Sequence, residues 1–164
     1  MFFKANDFPF THSLTENWEA VLGEVGTLQP REFLDWPERT LYENRWEVYG
    51  LYAFGRKIER NCELCPTTTQ LVEAIPGLTT AGFSRLRAHS RILPHIGYSH
   101  AVLRCHLGLI VPGGCGLRVG AEVRAWIPGQ CLVFDDTLEH EAWNDSDDDR
   151  TVLLIDFLKT NNPS

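Results

Sequence analysis

The sequence predicts a mainly β fold: N-terminal helices, then a double-stranded β-helix of the jelly-roll, cupin-like kind. Three observations predict it. From residue 78 onward the chain falls into short strand-like runs: TTAGFSRLRAH, HAVLRCHLGLIV, GLRV, QCLVFDD, HEAW and RTVLLIDFL. Turn signals divide them, at Pro112-Gly113-Gly114, Pro128-Gly129, Asp135-Asp136 and the SDDD loop. Many short strands at close spacing suit a β-sandwich or jelly roll. The 164 residues, without internal repeat or low-complexity linker, suit one domain with one core, its 1–77 region packing on a barrel of residues 78–158.

Taken in order, residues 11–26 read as one amphipathic helix. Ser13 and Glu16 fit a capping box, and Leu14, Trp18, Val21, Leu22 and Val25 recur at helical spacing. Residues 30–62 are mixed, with WEVYGLYAFG strand-like and punctuated by Gly50 and Gly55. A second helix is expected to open at Pro66, run through TTTQLVEAI and stop before Pro76-Gly77. In the barrel, alternation along VLRCHLG puts Arg104 and His106 on one face and Leu103, Cys105 and Leu107 on the other.

Composition excludes several function classes. The chain is 43% hydrophobic and 23% charged, ordinary for a soluble globular protein, with a net charge of −7. Its 15 basic residues are scattered, which argues against nucleic acid or an anionic membrane as the main partner. MFFKANDFPF lacks a secretory profile, and no run of about 18 apolar residues exists to span a membrane. Five irregularly spaced cysteines fit reduced thiols, so a cytoplasmic location is expected. The pair Cys62 and Cys65 has no second pair to complete a zinc site.

The stretch His95 to Arg150 carries the chemistry. His95 ends a strand in LPHIGYSH, His140 follows the Asp135-Asp136 turn, and Arg150 opens RTVLLIDF. Imidazole suits Fe(II), and arginine grips a carboxylate through paired hydrogen bonds. An iron site usually adds a carboxylate two residues after the first histidine, but here that position is Gly97. By spacing alone the triad fails. Arg104 and His106, in an otherwise apolar strand, are costly to bury without an anion. Alternatives stay open: Asp136 as a turn residue, and Arg150 paired with Asp147–Asp149. His89, His100, Arg85, Arg87 and Arg91 suit either a site entrance or a solvated surface, and Trp126 and Trp143 read as core.

From Asn17 to Asp156 the chain resembles the aspartyl/asparaginyl β-hydroxylase family of 2-oxoglutarate-dependent oxygenases. The likeness is densest in PHIGYSHAVLRCHLGL, GQCLVFDDTLEHEAW and the arginine that follows, with weaker echoes in NWEAV and CPTTTQLV. Members of that family hold iron with two histidines and have glycine at the carboxylate position, so Gly97 agrees with it. The resemblance implies His95 and His140 as metal ligands. Water would fill the vacant coordination position, and Asp136 would act through it. It implies Ser84, Arg104, His106 and Arg150 as the 2-oxoglutarate site, with Arg150 on the distal carboxylate. The implied cofactors are Fe(II), 2-oxoglutarate and O2. The implied reaction hydroxylates a substrate C–H and releases succinate and CO2.

Within such a family the expected substrate is the β-carbon of an Asp, Asn or related amino acid, free, carrier-bound or in a peptide. A lipid acyl chain or another small molecule is the alternative. The chain has neither a helical-repeat region nor a membrane segment, which favours a small soluble substrate. Two other classes compete. A non-catalytic binding module would not need Ser84, Arg104, His106 and Arg150 together. A zinc hydrolase using Glu139 or Glu141 as base would want a third protein ligand.

Overall fold

The computed structural model describes residues 1–159. The first helix-forming segment is two helices, α1 (Phe10–Glu16) and α2 (Trp18–Gly26), not one. Asn17 leaves the helical region at φ −110° and ψ 12°, and its side-chain amide donates to the Ser13 carbonyl at 2.8 Å. The Ser13/Glu16 capping box is not formed, because the helix already starts at Phe10 behind Pro9 with no side-chain cap. Then come α3 (Glu59–Leu64) and α4 (Pro66–Glu73), the latter opening at Pro66 as expected. Glu24 of α2 caps α4 from outside. Its carboxylate accepts the Thr67 and Thr68 N–H groups at 2.9 and 2.6 Å, placing negative charge on the helix N-terminus.

The strands are β1 (Phe2–Phe3), β2 (Leu34–Asp35), β3 (Tyr42–Glu43), β4 (Trp46–Ala53), β5 (Arg56–Lys57), β6 (Leu78–Leu86) and β7 (Ser90–His95). They continue with β8 (Val102–Ile110), β9 (Cys115–Val119), β10 (Glu122–Arg124), β11 (Cys131–Phe134), β12 (His140–Asn144) and β13 (Arg150–Leu158). They form two antiparallel sheets. The larger runs β1-β11-β8-β13-β6-β4-β2 with β5 beside β4, and the smaller runs β10-β9-β12-β7-β3. This is a jelly roll, with the residues before 78 adding β1, β2, β4 and β5 to the larger sheet.

Period-two alternation divides the larger sheet into two unlike faces. The outer face sends Tyr49, Leu51, Phe83, Leu107, Leu153 and Ile155 against Val21, Val25 and Val72 of the helices, in one buried cluster. The inner face turns toward the smaller sheet. There Trp46, Leu86, Phe134 and Val152 meet Ile92, Leu117 and Ala142 in a second cluster. Among the described residues no helix is long and apolar enough to cross a membrane.

Candidate active site

The two histidines are brought face to face. β12 pairs with β7 so that His140 lies directly opposite His95, and their ring centroids are 4.3 Å apart. The Nδ1 of His95 bonds the Leu93 carbonyl at 2.7 Å, and that of His140 bonds the Leu138 carbonyl at 2.9 Å. A carbonyl only accepts, so each Nδ1 carries the proton and each Nε2 offers a lone pair. Burial pushes the His140 pKa down to about 4, which keeps the ring neutral and ready to ligate. No third His, Cys, Asp or Glu joins them in a metal-binding group among the described residues.

Asp136 lines an adjoining cavity together with His95 and Gly97. Its carboxylate is fully buried, and neither oxygen has a hydrogen-bond partner. The Gly97 N–H donates to the Asp136 carbonyl at 2.7 Å, and a Cβ on Gly97 would collide with the Asp136 carboxylate. Glycine at 97 is therefore a steric requirement. The space of any side chain there is filled by a carboxylate arriving from the neighbouring turn. Burial raises the Asp136 pKa, with Arg104 pulling against it.

The inner face of the larger sheet supplies the rest. Ser84 (β6), Arg104 and His106 (β8) and Arg150 (β13) line one cavity together with His95 and His140. Arg150 is 1% exposed, and its Nη2 donates to the Ser84 carbonyl and Oγ at 3.1 and 3.0 Å. Its guanidinium lies over the Trp126 ring at 4.6 Å, and its Nε has no partner. No carboxylate pairs with it among the described residues. Asp147 bonds His89 and Asp149 bonds Arg87, so the alternative pairing of Arg150 with that acidic run is not formed. Burial without a counter-charge lowers the Arg150 pKa to about 10.

His106 is set in the opposite tautomer to the two facing histidines. The Trp126 indole N–H donates to its Nδ1 at 3.1 Å, so the neutral ring carries its proton on Nε2. That Nε2 is buried and unpartnered. Burial first, then the charges of Arg150 and Arg104, hold its pKa well below the ordinary histidine range. The cavity thus presents two unanswered donors, His106 Nε2–H and Arg150 Nε–H.

Arg104 lines the same cavity and is paired within the protein. Its Nε and Nη2 donate to the two oxygens of Asp156 at 2.7 and 2.9 Å, and Asp136 stands 3.7 Å away. Burial opposes its charge, but Asp156 outweighs that and holds the guanidinium protonated. Most of its binding capacity is committed within the protein. Asp156 lies opposite Arg104 in the β13–β8 register. The sequence reading missed it, although an acid in an apolar strand, six residues from Arg150 and so on the same face, was the available signal. Also missed was Phe134, whose ring packs between His106 and His140 at 5.1 and 6.0 Å.

Outside the cavity the other candidates are exposed or half-buried. His89 is exposed, and Arg91 pairs with Asp145. Arg87 pairs with Glu47 and Asp149, while Arg85 stacks on Phe33. Trp126 is buried core as expected, and it also shapes the cavity by orienting His106.

Known proteins resemble this chain in fold and in sequence. A solved Pseudomonas putida prolyl-4-hydroxylase superposes with a TM-score of 0.61 over 90% of this chain and 88% of its own, at 16% identity, a likeness of fold. An ornithine lipid ester-linked acyl 2-hydroxylase of Rhizobium tropici is 46% identical over 120 residues, covering 71% of this chain and 43% of that protein. The aspartyl/asparaginyl beta-hydroxylase of Homo sapiens is 31% identical over 153 residues, covering 88% of this chain and 20% of that protein. This chain therefore spans less than half the length of either relative. The family model for aspartyl/asparaginyl beta-hydroxylase matches residues 15–160. The chain belongs to the aspartyl/asparaginyl beta-hydroxylase family.

Proposed function

We propose that this protein is an Fe(II)- and 2-oxoglutarate-dependent dioxygenase that hydroxylates an unactivated C–H. The observation that carries the reading is Arg150, a buried guanidinium without an acidic partner, beside the unpartnered His106 Nε2–H. Burying an uncompensated charge costs several kcal/mol, on the order of what a bound dianion would offset. A dicarboxylate answers both donors.

His95 and His140 would hold the iron through Nε2, with Asp136 oriented beside them by Gly97. Ser84 and Arg150 would grip the distal carboxylate, and His106 would donate to the co-substrate from the opposite strand. Arg104, anchored on Asp156, keeps positive charge where carboxylates gather. With iron and 2-oxoglutarate bound there, the chemistry supplied would consume O2 as the oxidant: one oxygen atom would enter the substrate C–H as hydroxyl and the other would enter succinate as 2-oxoglutarate loses CO2. The chain itself orients both groups and excludes water with Phe134, Leu117 and Trp46. A jelly-roll module that merely binds a neutral ligand would have no use for the unpaired Arg150.

Of the two substrate readings, a specific observation favours an acyl chain over the β-carbon of Asp or Asn. Identity is 46% to the acyl 2-hydroxylase and 31% to the human aspartyl/asparaginyl enzyme. The test is titration of the Fe(II)-loaded protein with 2-oxoglutarate, followed by succinate assay under oxygen. Saturable binding with oxygen-dependent succinate release is expected. No binding and no succinate would overturn the reading.

A further inference from the structure

Arg104 stands between two carboxylates. In the larger sheet its strand, β8, runs between β13 and β11. Asp156 faces Arg104 from β13 in direct register, and Phe134 faces it from β11. Asp136 follows two residues after Phe134, so the two acids reach the guanidinium from the two sides of its strand. Both acids are fully buried, and solvent screens neither contact. Asp136 also lines, with His95 and Gly97, the adjoining cavity that the stacked indoles of Trp36 and Trp46 wall off, their centroids 4.0 Å apart.

The two acids share the guanidinium unequally. Asp156 accepts from Nε at 2.7 Å and from Nη2 at 2.9 Å, the paired and charge-assisted grip that is the stronger kind. The Tyr98 hydroxyl holds Asp156 in place, donating to its Oδ2 at 3.1 Å. Asp136 Oδ2 lies 3.7 Å from the same Nη2, beyond hydrogen-bonding distance. Among the described residues neither Asp136 oxygen has a hydrogen-bond partner. A buried carboxylate left without donors is costly, yet a cation stands one small side-chain movement away, committed to another acid. The unpartnered state of Asp136 is thus a consequence of the grip of Asp156.

We propose that Asp156 is a positioning residue for the metal site: it holds Arg104 off Asp136, and so keeps the Asp136 carboxylate free to support a metal held by His95 and His140. The inference rests on the oxygenase reading above and adds a residue to it. Asp156 acts only through Arg104. When its negative charge is removed, the guanidinium turns to the acid that remains and closes on Asp136. The metal then loses its supporting partner. When Arg104 is removed as well, no side-chain cation competes with the metal for Asp136.

The test is anaerobic titration of Fe(II) alone into the full chain, without 2-oxoglutarate, joined to a crystal structure of one metal-free variant. Wild-type protein comes first, and no Fe(II) binding there overturns the oxygenase reading together with this inference. With wild-type binding present, the remaining outcomes bear on Asp156 alone. Asp156→Asn keeps the side chain's shape and leaves Arg104 one acid to pair with. It should weaken Fe(II) binding about 10- to 100-fold, the range for losing a metal's supporting partner. Its metal-free crystal structure should show Arg104 hydrogen-bonded to Asp136, which a merely structural ion pair does not predict. Arg104→Met/Asp156→Leu replaces the buried pair by apolar side chains, a swap that proteins tolerate, and should return Fe(II) affinity to the wild-type range. If Asp156→Asn does not fold, Asp156→Glu takes its place in both measurements, since its longer side chain drives the guanidinium toward Asp136 in the same direction. Wild-type Fe(II) affinity in the single variant overturns the proposal. So does an Arg104 that stays apart from Asp136 in its crystal structure, or a double variant that binds Fe(II) as weakly as the single one.

Discussion

The outer and inner faces of the larger sheet are built from the same strands and differ in nearly every property. On β13, Leu153, Ile155 and Phe157 face the helices, while Arg150 and Asp156 face the barrel interior. On β8, Leu103, Cys105, Leu107 and Leu109 oppose Arg104 and His106 in the same way. The outer face is apolar packing with its neighbours in place. The inner face combines a satisfied ion pair, Arg104 with Asp156, and donors left unanswered on Arg150 and His106. Burial alone does not separate them, since Arg150 is as inaccessible as Ile155. What separates them is polar satisfaction. One face contributes stability, and on the proposed reading the other holds a binding capacity at some cost to stability.

That contrast can be broken from either side. The largest effect is expected at the proposed metal ligands, where His140→Ala should abolish Fe(II) binding in an anaerobic titration. Iron affinity equal to wild type would count against the assignment. On the outer face Leu153→Ala should cost about 2–5 kcal/mol in denaturant unfolding, since it opens a cavity in packed core. Its 2-oxoglutarate affinity should stay near wild type, and a large loss of affinity would show that the two faces are not separable. Gly97→Ala should be milder. It drives a methyl into the Asp136 carboxylate and should weaken Fe(II) binding about 10- to 100-fold, as loss of a metal's supporting partner does. Adding Asp136→Gly should relieve the crowding, and unaltered iron binding in Gly97→Ala would remove Asp136 from the account.

How much of this was legible in the sequence follows from distance along the chain. Strand alternation in VLRCHLG separates Arg104 from Leu103 and Cys105, because period-two geometry is local. The jelly roll was legible from the spacing of its turns, and the helix at Pro66 from proline's fixed φ. The break at Asn17 was not, because Leu14, Val21 and Val25 keep a helical rhythm across it, and the local bond to Ser13 decides the matter. Gly97 signified a missing ligand by spacing and acquired meaning through family resemblance. Its physical reason, the carboxylate of Asp136 pressed against it, depends on a loop contact 39 residues apart in sequence. The same holds for Arg104. Its commitment to Asp156 comes from the β8–β13 register, which joins residues 52 apart. The Trp36–Trp46 stack likewise depends on how an edge strand returns to the sheet.

The measurement that tests the central claim most directly combines two readings on Arg150→Met: 2-oxoglutarate affinity, and thermal stability without ligands. If Arg150 is a buried charge kept for a dicarboxylate, the variant should lose more than about 100-fold in affinity, the range for truncating a buried charge pair. Its ligand-free melting temperature should stay equal to wild type or rise, since a desolvated and unpaired guanidinium has been replaced by an apolar side chain. A variant that melts well below wild type while still binding 2-oxoglutarate normally would make Arg150 a structural residue and contradict the account.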